Sequence, residues 1–374
     1  MSTDSPVIQI KGLSVSYDNK RAIVNLFADF KAGHIHGIVG PNGAGKTNIL
    51  EAVSLFSPGR GMRRSSAKEM AKRPEDIGWK LSGLIEHDGR TYEVDTSSED
   101  GAARSVRIDD KAAAQTALGR IARVVWLIPS MDRLWIEGAD GRRRFLDRMS
   151  MSFFPDHSDL SLEYEKAMRE RNRLLKAEVR DTHWYAALEA KMAQSGAGIH
   201  ANRVATLERL RAAQDGAETA FPSADLELVQ SEGGMPETVA DLEEALSESR
   251  FRDMAAGRAL VGPHRSDLYG VFAAKGVPAK DCSTGEQKAL LISLILANAR
   301  ALKADVGAPP IVLLDEVAAH LDANRRAALY DEICALGAQA WMTGTGPELF
   351  TELGDRAQHI EVKDADGTSR LVAS

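Results

Sequence analysis

The sequence has only two cysteines, Cys282 and Cys334, far apart and in no repeating pattern. That argues against a disulfide framework and against a cysteine-built zinc site. Long apolar runs are also missing. The longest stretch, ALLISLILANARAL at 289–302, falls short of the roughly 20 residues that cross a bilayer. The start, MSTDSPVIQIKG, has no basic segment followed by an apolar one, so no secretory signal is expected. Excess positive charge is absent too. The net charge of −7 counts mildly against a nucleic-acid partner, so any such role must rest on how charge is distributed. A reducing, cytoplasmic setting is expected, with no membrane partner. A chain of 374 residues suggests two or three structural units.

The most informative segment is GPNGAGKT at 40–47. It matches the phosphate-binding loop G-x-x-x-x-G-K-[ST] at every fixed position. Gly40, Gly43 and Gly45 permit backbone angles that a Cβ would hinder. Successive N–H groups can then turn inward around an anion. The apolar HIHGIVG before the loop predicts a buried strand. The NILEAVSLF after it predicts a helix, whose positive end favours phosphate. Lys46 supplies a point charge for the β- and γ-phosphates, and Thr47 supplies a hydroxyl for Mg²⁺.

Three more segments extend this reading. IVLLDE at 311–316 follows Pro309 and Pro310 and predicts a buried parallel strand ending at a ligand. Asp315 would hold Mg²⁺, and Glu316 is placed to polarise a water for attack on a γ-phosphate. CSTGEQKALL at 282–291 opens a long helical pattern. Ser283 and Gly285 there have the chemistry of an anion site, while Ser283 and Glu286 equally fit a capping box. AAHLD at 318–322 comes just after the acidic strand.

Elsewhere, 159–216 reads as an antiparallel helix pair joined near SGAG. Residues 80–95 read as a hairpin turning at His87–Asp88–Gly89. Segment 96–115 reads as a polar edge or loop. Residues 59–73 hold Arg60, Arg63, Arg64, Lys68, Lys72 and Arg73 against Glu69 alone. Arg142, Arg143, Arg144 and Arg148 form a second cluster, and Arg169, Arg171 and Arg173 a third. A solvated helix face and a phosphate-contacting surface both fit these clusters, and Arg142–Arg144 also fit a helix start whose arginines pair with local carboxylates. Few aromatics accompany them, so base stacking is not their expected mode. Tyr17 fits either adenine stacking or strand packing. His264 and Arg265, in GPHRSD, fit either a polar turn or support for the Ser-Gly helix.

Phosphate loop, Ser-Gly helix start, acidic strand and AAHLD together resemble the ABC-type ATPases. More specifically, GPNGAGKTNILEA, SPGRGMRR, GRRRFLDR, YEKAMRERNRLL, LVGPHRSDL, STGEQKALL and LLDEVAAHLD resemble the RecF family of bacterial DNA recombination and gap-repair ATPases. The resemblance implies an α/β ATPase lobe, 1–115 with 295–374, and an inserted, mostly helical lobe, 116–294, carrying the Ser-Gly helix. It implies slow, DNA-stimulated ATP hydrolysis and an ATP-dependent homodimer on double-stranded and gapped DNA. It also implies work with RecR and RecO to load RecA, and a place in the SOS response. Gly40, Pro41, Asn42, Gly43, Ala44, Gly45, Lys46, Thr47 and Asn48 would contact ATP, with Ser283, Gly285 and Glu286 reaching the partner's nucleotide. A transporter-energising ATPase is the alternative. The segment between Thr47 and Ser283 is about twice what that branch uses. No His follows AWMTG at 340–344, where transporters sense the γ-phosphate, and Thr343 or Thr345 is the nearest stand-in.

Overall fold

The computed structural model describes residues 6–17, 20–31, 34–70, 78–99, 101–365 and 368–373. Along the chain run β1 (Pro6–Tyr17), β2 (Lys20–Lys31), β3 (Ile35–Val39), α1 (Lys46–Ser54), β4 (Trp79–His87) and β5 (Arg90–Ser98). Then come β6 (Ser105–Ile108), β7 (Lys111–Ala113), β8 (Val124–Leu127), α2 (Ala139–Phe153), α3 (His157–Lys176) and α4 (Thr182–Gln214). They are followed by β9 (Ala224–Gln230), α5 (Val239–Glu248), α6 (Arg250–Ala256), β10 (Ser266–Phe272), β11 (Val277–Pro278) and α7 (Thr284–Val306). The chain closes with β12 (Ile311–Leu314), α8 (Ala323–Leu336), β13 (Ala340–Gly344), β14 (Ala357–Ala365) and β15 (Thr368–Ala373).

The chain divides into two compact units. One comprises Met1–Asp132, Ala217–Phe221 and Leu291–Ser374, and the other Arg133–Gly216 and Pro222–Leu290. The first holds a six-stranded sheet in the order β15-β14-β3-β13-β12-β8. The pairs β14–β3, β3–β13, β13–β12 and β12–β8 are parallel, and β15 is an antiparallel edge. Buried strands such as IHGIV and VVWL are apolar without alternation, as a sheet covered on both faces requires. The order sets β13 between β3 and β12, so the C-terminal ends of β3 and β12 flank one strand. β8 pairs in register with β12, which carries this unit to Asp132, past the expected boundary at 115.

A four-stranded antiparallel sheet, β4-β5-β6-β7, shares a core with α1. Ile49, Val53 and Phe56 pack there with Leu81, Ile85 and Val94. At Gly83 an added Cβ would sit 2.9 Å from the Phe56 ring, so glycine permits that approach. The hairpin turns at Asp88 and Gly89, both in the left-handed region at φ 51° and 71°. Segment 96–115, read as a polar edge or loop, holds strands at the sheet edge, with irregular backbone at 101–104. It continues β5 and contributes β6 and β7 through a second turn at Asp109–Asp110, because Val94 and Val106 supply the buried face.

The second unit packs α2–α6 with a small antiparallel sheet, β11-β10-β9. The helix pair exists as α3 and α4, but SGAG lies inside α4 and the connection is at 177–181. Gly196 and Gly198 serve packing instead. A Cβ at Gly196 would lie 2.9 Å from Leu242 and 3.0 Å from Tyr164, and one at Gly198 would lie 3.0 Å from Leu160. Small residues at helix crossings let neighbours close in.

Candidate nucleotide site

The turn from β3 into α1 carries the glycine loop. Gly40, Gly43 and Gly45 take φ of 155°, 86° and 98°, angles open chiefly to glycine. A Cβ at Gly40 would also meet the Val362 carbonyl at 2.4 Å. Lys46 is buried, and its Nζ donates to the carbonyls of Gly40 (2.7 Å) and Pro41 (3.0 Å). Burial pushes the Lys46 ammonium below its ordinary pKa, while Glu316 and Asp315 pull it back up. Pro41, Asn42 and Gly43 are exposed on the loop, and Ala44 is buried.

β12 delivers Asp315 and Glu316 to the same end of the sheet. The Thr47 hydroxyl donates to Asp315 Oδ1 at 3.0 Å, across 268 residues of sequence. Thr343, fully buried at the end of β13, donates to the same oxygen at 2.7 Å. Its Oγ1 in turn accepts the backbone N–H of Glu316 at 2.8 Å. Glu316 has φ 53°, a left-handed conformation that is costly for a β-carbon-bearing residue. Thr343 therefore holds the acidic pair in place.

Asn48 and Glu51 on α1 tie the site to the arginine segment. Arg63 donates its Nη1 to Asn48 Oδ1 (2.9 Å) and its backbone N–H to Glu51 Oε2 (3.0 Å). Burial raises the Glu51 carboxyl to about 7. Arg104 pins the same segment through the carbonyls of Leu55, Ser57 and Gly59. Sequence reasoning missed Arg104, which sits in the stretch read as a polar edge or loop. Arg60, Arg64 and Lys68 are exposed, Arg64 with φ 60°. Lys72 and Arg73 lie outside the described residues, as does the side chain of Tyr17.

The Ser-Gly turn adopts the capping box. Glu286 Oε2 accepts from the Ser283 backbone N–H (2.8 Å) and hydroxyl (2.9 Å). Lys275, a residue with no sequence signal, pairs with Glu286 Oε1. Those contacts, Lys275 foremost, hold the Glu286 carboxyl down at about 2. An added Cβ at Gly285 would meet nothing within 4 Å. In AAHLD, Asp322 caps α8 by accepting from the Arg325 backbone N–H (2.9 Å).

Several arginines of the second and third clusters prove to be internal scaffolding, whereas Arg144, Arg169 and Arg173 are exposed. Arg142 forks onto Asp267 (2.7 and 2.8 Å), Arg143 donates to the Ser266 carbonyl (2.8 Å) and Arg144 pairs with Asp140. Arg171 is fully buried between Glu189 (3.0 Å) and Asp253 (2.6 Å). His264 supports no Ser-Gly helix. It bonds the Tyr164 hydroxyl (2.7 Å) and the Ala259 carbonyl (3.0 Å).

The family described as "AAA domain, putative AbiEii toxin, Type IV TA system" matches residues 35–345, a span that runs from β3 to the end of β13. The DNA replication and repair protein RecF of Rhizobium rhizogenes (strain K84) is 45% identical over 336 residues, covering 87% of this chain and 90% of that protein. RecF of Brucella suis is 44% identical over 358 residues, covering 92% of each. The chain belongs to the RecF family of DNA replication and repair proteins. The fold agrees. The recombination mediator RecF-ATPrS of the RecFOR pathway superposes with a TM-score of 0.79 over all of both chains, at 23% identity. An Smc head domain from Pyrococcus furiosus gives 0.52 at 17% identity, over 98% of this chain and 95% of that one. Among the described residues, no helix is long and apolar enough to cross a membrane.

Proposed function

We propose that this RecF-family chain binds Mg·ATP in the loop Gly40–Asn48, hydrolyses it slowly, and uses the ATP state to close a homodimer on DNA. One observation carries the reading: Lys46, Thr47, Asp315 and Glu316, from distant segments, meet at one end of the parallel sheet. The RecF relatives support the DNA-repair role, and their similarity sets aside the transporter-energising alternative.

The Thr47 hydroxyl and Asp315 carboxylate suit a hard cation, which favours oxygen ligands. Among the described residues no group of three or more His, Cys, Asp or Glu could hold a metal by itself. Mg²⁺ takes few protein ligands and completes its shell with phosphates and water. When bound, it would offset charge on the β- and γ-phosphates. Loop N–H groups and Lys46 bind and orient the triphosphate. Glu316 orients and deprotonates the attacking water, and Thr343 keeps Glu316 in place. Ser283, Gly285 and Glu286 of a second copy meet the same nucleotide. Arg60, Arg63, Arg64, Lys68, Lys72 and Arg73 contact duplex phosphates near a single-strand junction, and DNA stimulates turnover. The similar RecF structure belongs to the RecFOR pathway, which supports RecR- and RecO-type partners. RecA loading in gap repair and a cytoplasmic, nucleoid-associated place in the SOS response complete the proposal.

Glu316→Gln tests this reading. Turnover should fall about 10²-fold or more while ATP binding persists. Light scattering should show dimers on gapped duplex that outlast those of the wild type. A variant that stays monomeric with ATP and DNA would remove the clamp model.

A further inference from the structure

Four guanidinium groups gather where α2 meets the start of β10: Arg142, Arg143, Arg203 and Arg265. Two carboxylates answer them. Asp267 is taken by the Arg142 fork at 2.7 and 2.8 Å. Asp147 is taken by the Arg203 fork at 2.7 and 3.0 Å, and it also bonds the buried His157 ring at 3.0 Å. Arg143 and Arg265 are left over. Arg143 spends one nitrogen on the carbonyl of Ser266, the residue that follows Arg265. Asp140 lies 3.7 Å from Arg143, but it is mostly exposed and pairs with Arg144. Among the described residues the Arg265 guanidinium meets no carboxylate, and its Nε is closed off from solvent with no acceptor.

Both leftover side chains are half-buried. Burial pushes the Arg143 guanidinium below its ordinary pKa, and Arg203 and Arg265 push the same way, while Asp267 and Asp147 pull back. Positive charge withdrawn from water is costly unless negative charge meets it. A surplus of two such charges matches a dianion. A carboxylate or a phosphodiester, each with a single charge, would leave one guanidinium unanswered. Guanidinium forks, which grip oxygens in pairs, suit a phosphate group.

We propose that Arg143 and Arg265 bind a phosphate dianion, either the free ion or the terminal group of a small phosphate monoester. The glycine loop belongs to the other unit, so either site can fail without the other.

Thermal unfolding of the full-length chain at constant ionic strength tests the site. Lys46→Ala serves as background, to silence the glycine loop. Inorganic phosphate should raise its midpoint, as a ligand of the folded state does. Dimethyl phosphate and acetate should not. By calorimetry, Arg265→Gln should weaken phosphate binding about tenfold, and Arg143→Gln with Arg265→Gln about 100-fold, as loss of one or two charged bonds does. Ribose 5-phosphate separates the two sources: a response to it assigns a monoester, and none assigns the free ion. In phosphate-free buffer Arg265→Gln should leave the midpoint unchanged or higher, because an unanswered charge is removed. A lower midpoint would make Arg265 a structural brace and overturn the proposal. So would an equal rise with dimethyl phosphate, or a phosphate response that survives in the double-arginine variant.

Discussion

Two glycine-bearing turns in this molecule are built on opposite plans. The glycine loop at 40–47 is organised by backbone: three glycines at positive φ, a buried Lys46, and a long-range bond from Thr47 to Asp315, which Thr343 also holds. The Ser-Gly turn at 283–286 is organised by local side chains. Its serine is held by Glu286, and Glu286 is held by Lys275 from the neighbouring hairpin. A surface ion pair of that kind contributes little and exchanges readily. The comparison teaches that one turn is set by the fold in advance, whereas the other is held by a local carboxylate that occupies its hydroxyl.

That contrast can be broken at the rigid turn first. Lys46→Ala should remove measurable ATP binding, a loss of about 100-fold or more by fluorescent-nucleotide titration. Binding that survives would mean the loop backbone suffices. Thr343→Val comes next. It leaves the buried Asp315 with one donor fewer and strips the Glu316 N–H of its acceptor. The expected cost is about 1–3 kcal/mol in chemical denaturation and roughly tenfold in ATP turnover, with Thr343→Ser restoring both. If Thr343→Val matches wild type, the site is not held through β13.

The smaller effects test the pliable turn and the α1 scaffold. Glu286→Gln keeps the acceptor for Ser283 but drops the charge, so ATP-dependent dimerisation should tighten a few-fold by analytical ultracentrifugation. Its acid profile gives a second reading. The Glu286 carboxyl is depressed from 4.5 to about 2, so its contribution is present above 4.5 and disappears as pH falls toward 2. Melting curves of Glu286→Gln should lack that component. Glu51 has the reverse sign. Its carboxyl is raised from 4.5 to about 7, so stability is full below 4.5 and is lost as pH rises through 7. Glu51→Gln should flatten the melting temperature across that window, and an unchanged slope would show that burial does not penalise this carboxylate.

Much of the nucleotide site was legible because its chemistry is local. A glycine loop between an apolar run and a helix needs only adjacent residues to declare itself, and IVLLDE shows its carboxylates at a strand end. The arginine clusters misled for the converse reason. Arg171 and Arg142 look like surface charge in sequence, yet Glu189, Asp253 and Asp267 reach them from far along the chain. SGAG resembled a turn because glycine also marks turns. Only the neighbours Leu242, Tyr164 and Leu160 reveal that it serves close packing.

The amino-acid order alone determined the phosphate loop, the acidic strand, the Ser-Gly helix start and the likeness to the RecF family, since each is a short pattern with its own backbone preference. Tertiary structure alone decided that Thr343 governs Asp315 and Glu316, that Arg104 and Glu51 anchor the arginine segment, and that Trp184 and Phe251 stay exposed. Those outcomes depend on strand order and helix crossing, which bring together groups that no local spacing relates.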